Sequence, residues 1–126
     1  MAGNTILVVD DDSAMQRLLM YHLEKAGFDV VVAEDGLEGL EKVESERPNV
    51  VVTDLMMANK DGFELSRDIR ARKEFDDVGI IVLTARDFWG DVDQLLAAGV
   101  NCVMKKPFNP QELTQKIREL IGGKHS

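Results

Sequence analysis

The chain has 126 residues and a net charge of −8, with 15 Lys+Arg against 23 Asp+Glu; that length supports one hydrophobic core and leaves no room for a second. An acidic chain without a basic stripe is a poor partner for nucleic-acid phosphates, and no apolar run approaches the ~20 residues that span a bilayer. The single cysteine, Cys102, excludes an internal disulfide and fits a reducing compartment, so a cytoplasmic protein with no direct nucleic-acid or membrane contact is expected.

The first strand is expected over residues 5–10, where Ile6-Leu7-Val8-Val9 runs into three consecutive aspartates, Asp10, Asp11 and Asp12. Carboxylates crowded at the end of a buried strand repel one another, so a cation, a lysine or full solvation must offset them. Asp12 or Ser13 suits the cap of a first helix whose apolar stripe is Met15, Leu18, Leu19, Leu23 and Ala26, ended by Gly27. His22, beside that stripe, has no partner at metal-ligand spacing and reads as structural or incidental.

A second strand over 29–33 leads through Asp35 into a helix with Leu37, Leu40 and Val43 inward, which stops before Pro48. The third strand, 50–54, ends in Asp54. Asp61-Gly62 opens a third helix on Phe63, Leu65 and Ile69. A fourth strand, 79–84, precedes a helix over about 90–98 that packs through Val92, Leu95 and Leu96 before Gly99. The fifth strand, 101–105, holds Cys102 as a small core residue. The last helix has the clearest start, with Asn109 as cap, Pro110 at its first position and Glu112 in its first turn, and it turns Leu113, Ile117, Leu120 and Ile121 inward.

Strands alternating with helices predict an α/β fold, a doubly wound parallel sheet of five strands flanked by five helices. Residues 1–126 form one domain with a core of about 5–121, and no output domain is expected in this chain. The acidity is uneven: residues 1–85 carry 9 Lys+Arg against 18 Asp+Glu, and the remainder 6 against 5.

In a parallel sheet the C-terminal ends of all strands lie along one edge, where ligands bind. That edge gathers Asp10, Asp11, Asp54, Thr84 and Lys106: three carboxylates, a hydroxyl and an ammonium. Hard oxygen ligands suit Mg²⁺, and a carboxylate can attack phosphorus to give an aspartyl phosphate. An ammonium and a hydroxyl can hold the remaining phosphoryl oxygens. Asp54, central in the set, is the natural nucleophile.

The segments Ile6-Leu7-Val8-Val9-Asp10-Asp11, Val51-Val52-Thr53-Asp54-Leu55-Met56-Met57, Asp61-Gly62, Val82-Leu83-Thr84-Ala85 and Lys105-Lys106-Pro107-Phe108 together resemble the receiver domain of bacterial two-component response regulators, of the single-domain chemotaxis-regulator type. The resemblance implies a flavodoxin-like sheet of order 2-1-3-4-5 and a signalling switch that turns over no external substrate. It implies Asp54 as phosphoryl acceptor and Asp11 as a Mg²⁺ ligand, with Asp10 assisting through water and the Met56 backbone carbonyl completing the set. Thr84 and Lys106 would hold phosphoryl oxygens, and the Lys106–Pro107 bond would be cis. The implied partners are a histidine kinase or histidine phosphotransfer protein and a downstream protein target. That target would meet the surface of the fourth helix, fifth strand and fifth helix, with the chain a monomer or a phosphorylation-dependent dimer.

Three departures from the family pattern carry expectations. Ala58 stands where many relatives have proline, predicting a looser loop beside Asp54. Val103 replaces the usual switching aromatic, which leaves Phe88 and Trp89 to form a moving surface or merely to cover the core edge. Met56 and Arg86 would hinder water at the phosphoryl group. Two rival readings stay open: a small aspartyl-phosphate phosphatase built on the first acidic turn, and a receiver-like binding module that is never phosphorylated. The phosphatase would want Asp-x-Asp-x-Thr, whereas the chain has Asp10-Asp11-Asp12-Ser13-Ala14.

Overall fold

The computed structural model describes residues 4–85 and 92–123. Five parallel strands, β1 (Thr5–Val9), β2 (Asp29–Ala33), β3 (Val50–Asp54), β4 (Gly79–Thr84) and β5 (Cys102–Lys105), form one sheet of order β2-β1-β3-β4-β5. The helices are α1 (Ser13–Lys25), α2 (Gly36–Glu46), α3 (Gly62–Arg70), α4 (Val92–Ala97) and α5 (Pro110–Gly123). The expected fold class and strand order are those of the structure.

Successive side chains of a strand point to opposite faces, and both faces of this sheet are covered. Leu7, Val9, Val51, Ile80 and Val82 share one core with Val43, Leu65, Ile69 and Leu95 of the helices. Ile6, Val8, Val52, Ile81 and Leu83 share the other with Leu19, Leu23, Leu113 and Ile117. Burial on both sides explains why β1, β3 and β4 read as continuous apolar runs rather than alternating ones.

Side-chain caps set the helix starts. Asp12, not Ser13, caps α1 by accepting from the Ala14 N–H at 2.9 Å. Asp61 and Glu64 form a reciprocal capping box on α3, and Asn109 accepts from the Gln111 and Glu112 N–H groups at 2.9 and 3.0 Å. Each such cap stabilises its helix by about 1 kcal/mol.

Four residues assigned to inner helix faces lie in solvent: Leu18 at 44 % exposure, Leu37 at 53 %, Val92 at 37 % and Leu96 at 45 %. Adjacent residues on a helix are turned about 100° apart, so burying Leu19 and Leu95 turns Leu18 and Leu96 outward. In α2 the inward positions are Gly36, Gly39 and Val43, and Leu37 falls off that stripe. Asp10 and Asn101 lie just beyond their strands, although the Asp10 N–H still donates to Ala33 O at 3.1 Å and the Asn101 N–H to Ile80 O at 2.8 Å. A short 3₁₀ turn, Lys73–Phe75, was not expected. It buries Phe75 completely beneath the guanidinium groups of Arg47 and Arg72, 5.0 and 4.8 Å from the ring centre. Arg86, Phe88, Trp89 and the start of the fourth helix lie outside the described residues.

Candidate functional site

The strand register decides which side chains meet. Val9 pairs with Thr53, Asp54 with Leu83 and Thr84 with Lys105, so Asp10, Asp54, Thr84 and Lys106 come to neighbouring positions along the C-terminal edge. Carboxylate oxygens of Asp10, Asp11 and Asp54 lie within 4.8 Å of one another. The Lys106 ammonium spans two of these groups, 3.4 Å from Asp54 Oδ2 and 3.6 Å from Asp10 Oδ2. Its backbone is fixed by donation from the Lys106 N–H to Thr84 O at 2.7 Å. The Lys106–Pro107 bond is cis.

The three carboxylates occupy different environments. Asp10 is 1 % exposed, whereas Asp11 is exposed and Asp54 lies between. Asp10 Oδ1 accepts from the Asp12 N–H at 2.9 Å, and the Gln16 side-chain amide donates to the Asp10 carbonyl oxygen at 2.5 Å. Burial raises the Asp10 carboxyl above its ordinary pKa, with the neighbouring Asp54 and Asp11 charges adding to the rise. The Asp12 N–H and Lys106 act in the opposite direction. The Asp54 carbonyl accepts from the Thr53 hydroxyl at 2.9 Å. Gly62 lies against it so closely that a Cβ there would stand 2.5 Å from that oxygen.

The buried oxygens Asp10 Oδ2 and Thr84 Oγ1 find no hydrogen-bond partner among the described residues. Burying a polar atom without a partner is costly, and both orphans sit at this one edge. A divalent cation beside the carboxylates and an oxyanion beside Thr84 and Lys106 would satisfy them. The donor set, all hard oxygens with one ammonium, fits Mg²⁺ and a phosphoryl group. The arrangement can therefore hold a divalent cation next to a carboxylate free to act as a nucleophile.

Of the residues expected from sequence, the structure brings together Asp10, Asp11, Asp54 and Lys106, with Thr84 one strand pair away. Met56 follows on the loop after Asp54, its side chain 68 % exposed. Val103 pairs with Val82 and is half-buried against the core. His22 packs edge-on to Tyr21 and Phe108, at 5.2 and 6.5 Å between ring centres. Cys102 is only half-buried, and burial raises its thiol pKa, which disfavours the reactive thiolate. The loop around Ala58 is tied to the start of α2 by a hydrogen bond from Asn59 Nδ2 to Asp35 Oδ2 at 2.6 Å. Neither this tie nor the Gln16 contact was foreseen, since each joins residues that no local pattern links.

Comparison with known proteins places this chain among relatives. A family model described as the response regulator receiver domain matches residues 6–118. The alkaline phosphatase synthesis transcriptional regulatory protein PhoP of Bacillus subtilis is 39 % identical over 116 residues, covering 92 % of this chain and 48 % of PhoP. The chain thus spans about half the length of the curated relatives it matches. Among solved structures, a putative response regulator from Chloroflexus aurantiacus superposes with a TM-score of 0.90 at 29 % identity, covering 96 % of this chain and 99 % of that one. The receiver domain of the sensor histidine kinase PA1611 from Pseudomonas aeruginosa, solved with a magnesium ion coordinated in its active-site cleft, gives a TM-score of 0.87 at 33 % identity, with the same coverages.

Proposed function

The chain belongs to the response regulator receiver domain family, and from that premise we propose that Asp54 is the residue on which its switch is set. The observation that carries this reading is the cluster itself: Asp54 within 3.4 Å of the Lys106 ammonium and beside two further carboxylates. An Asp54 carboxylate oxygen attacks the phosphorus of a phosphohistidine. A new P–O bond forms as the P–N bond breaks, and the imidazole leaves with the electron pair. Lys106 and Thr84 hold phosphoryl oxygens, and the fixed Lys106 backbone keeps the ammonium in line with Asp54.

Asp10, Asp11, Asp54 and the Met56 carbonyl would hold Mg²⁺, with Asp10 acting through water. When bound, the ion neutralises charge on the transferring group. The magnesium-bearing receiver from Pseudomonas and the two orphaned oxygens support this assignment. The same edge would serve the later hydrolysis, in which water attacks the phosphoryl group on Asp54 and phosphate leaves, so the domain catalyses only changes to itself.

The upstream partner would be a histidine kinase or histidine phosphotransfer protein. The downstream partner would be a protein that reads the α4–β5–α5 face, whose populations shift when Thr84 engages the phosphoryl group. The name of PhoP describes a transcriptional regulator about twice the length of this chain. The acidic domain itself offers nucleic-acid phosphates no basic stripe. Among the described residues no helix is long and apolar enough to cross a membrane.

Incubation with acetyl phosphate tests the proposal without any partner. One phosphoryl equivalent per chain is expected in Mg²⁺ and none after chelation, read by intact-protein mass spectrometry. Equal incorporation with and without the cation would contradict the reading. Steady release of phosphate from a phosphoester would revive the phosphatase.

A further inference from the structure

The loop that leaves Asp54 lacks the proline that would fix a φ angle, yet it is held at both its base and its tip. At the base, the Gly62 N–H donates to Leu55 O at 2.8 Å. At the tip, Asn59 adopts a left-handed φ of 68°, a region that asparagine tolerates better than most residues. There its amide donates to Asp35 Oδ2. The other Asp35 oxygen accepts from the Glu38 N–H at 2.9 Å as the α2 cap, so one carboxylate serves a helix and a loop at once. Both donations lower the Asp35 pKa, with the Glu38 N–H the larger cause. The next residue, Lys60, presses its carbonyl against Gly36, where a Cβ would stand 2.1 Å from that oxygen, and its ammonium pairs with Asp68 of α3.

We propose that Asp35 and Asn59 are positioning residues for the phosphoryl-transfer site. Their strap does the work of the missing proline, holding residues 55–59 so that the Met56 carbonyl stands ready beside the carboxylates. Neither residue touches the reacting atoms; both act through the backbone of the loop. The inference rests on the Mg²⁺ reading of the site above.

Titration with Mg²⁺ by calorimetry, alongside the metal-free thermal midpoint, tests it on the whole chain. Asn59→Gly keeps the left-handed backbone accessible and removes the amide. It should raise the Mg²⁺ dissociation constant about fivefold, the scale of one charge-assisted hydrogen bond near the surface, and slow phosphorylation by acetyl phosphate at sub-saturating Mg²⁺. The metal-free midpoint should fall by no more than a few degrees, the cost of one exposed hydrogen bond. The reversed pair, Asp35→Asn with Asn59→Asp, keeps the net charge, the helix cap and a hydrogen bond across the strap, and should restore affinity to within about twofold. Parental affinity in Asn59→Gly, or a loss that the reversed pair fails to restore, overturns the strap while leaving the site reading intact. Absence of Mg²⁺ binding in the parent protein overturns the site reading and the strap with it.

Discussion

Asp54→Asn is expected to take up no phosphoryl group from acetyl phosphate, a loss of at least about a thousand-fold in rate, on the order of what removing a covalent nucleophile costs elsewhere. The substitution is nearly isosteric, and it leaves the Lys106 ammonium and the Thr84 hydroxyl in place. What it removes is the anionic oxygen. Among the described residues no other carboxylate at the edge offers an equivalent one, since Asp10 is buried with Oδ1 engaged by the Asp12 N–H and Asp11 stands out in solvent. The variant should fold normally, because it relieves repulsion among three clustered carboxylates. A thermal midpoint at or above that of the parent, together with the lost uptake, would separate chemistry from folding. Phosphorylation at an undiminished rate would place the acceptor elsewhere.

Asp10→Asn is expected to have effects of opposite sign with and without Mg²⁺. Burial raises the Asp10 pKa in the folded state above the ordinary value of 3.8, so the folded chain holds that proton more tightly than the unfolded one. As pH rises from that ordinary value through the raised one, the metal-free fold loses stability, and at neutral pH it carries the cost of a buried ionised carboxylate. Asparagine removes that cost, so the metal-free variant should melt above the parent. In Mg²⁺ the order should reverse, because the parent gains more binding free energy than the variant; the affinity of the variant should fall about 10–100-fold, as when an orienting group behind a metal site is lost. Affinity in the parent should weaken as pH drops through the raised Asp10 pKa, sooner than an ordinary carboxylate would require. Melting curves at several Mg²⁺ concentrations and pH values measure all of this. Undiminished Mg²⁺ affinity in the variant would remove Asp10 from the site.

Much of this molecule was legible in its sequence because the informative residues lie where local rules operate. Continuous apolar runs identify strands buried on two faces, and caps such as Asp12, Asp35 and Asn109 announce helix starts. Parallel strands then carry Asp10, Asp54 and Lys106 to one edge although Asp10 and Asp54 are more than forty positions apart. The inner helix faces were less legible: Leu18 and Leu96 are as apolar as Leu19 and Leu95, and only the packing decides which of two neighbours turns inward. The Asn59–Asp35 strap and the Gln16 contact were not legible at all, since each depends on where two loops or a loop and a helix meet. The same holds for Phe75, whose burial under two arginines depends on where Arg47 and Arg72 come to lie against it.

Borohydride reduction after reaction with acetyl phosphate in Mg²⁺ distinguishes Asp54 from every other possible carrier of the phosphoryl group. Reduction converts an aspartyl phosphate to homoserine, and peptide mass spectrometry locates the product. Homoserine is expected at position 54 alone, absent after chelation and absent in Asp54→Asn. Homoserine at another aspartate, or a phosphoryl group that resists borohydride on a serine, threonine or histidine, would contradict that expectation.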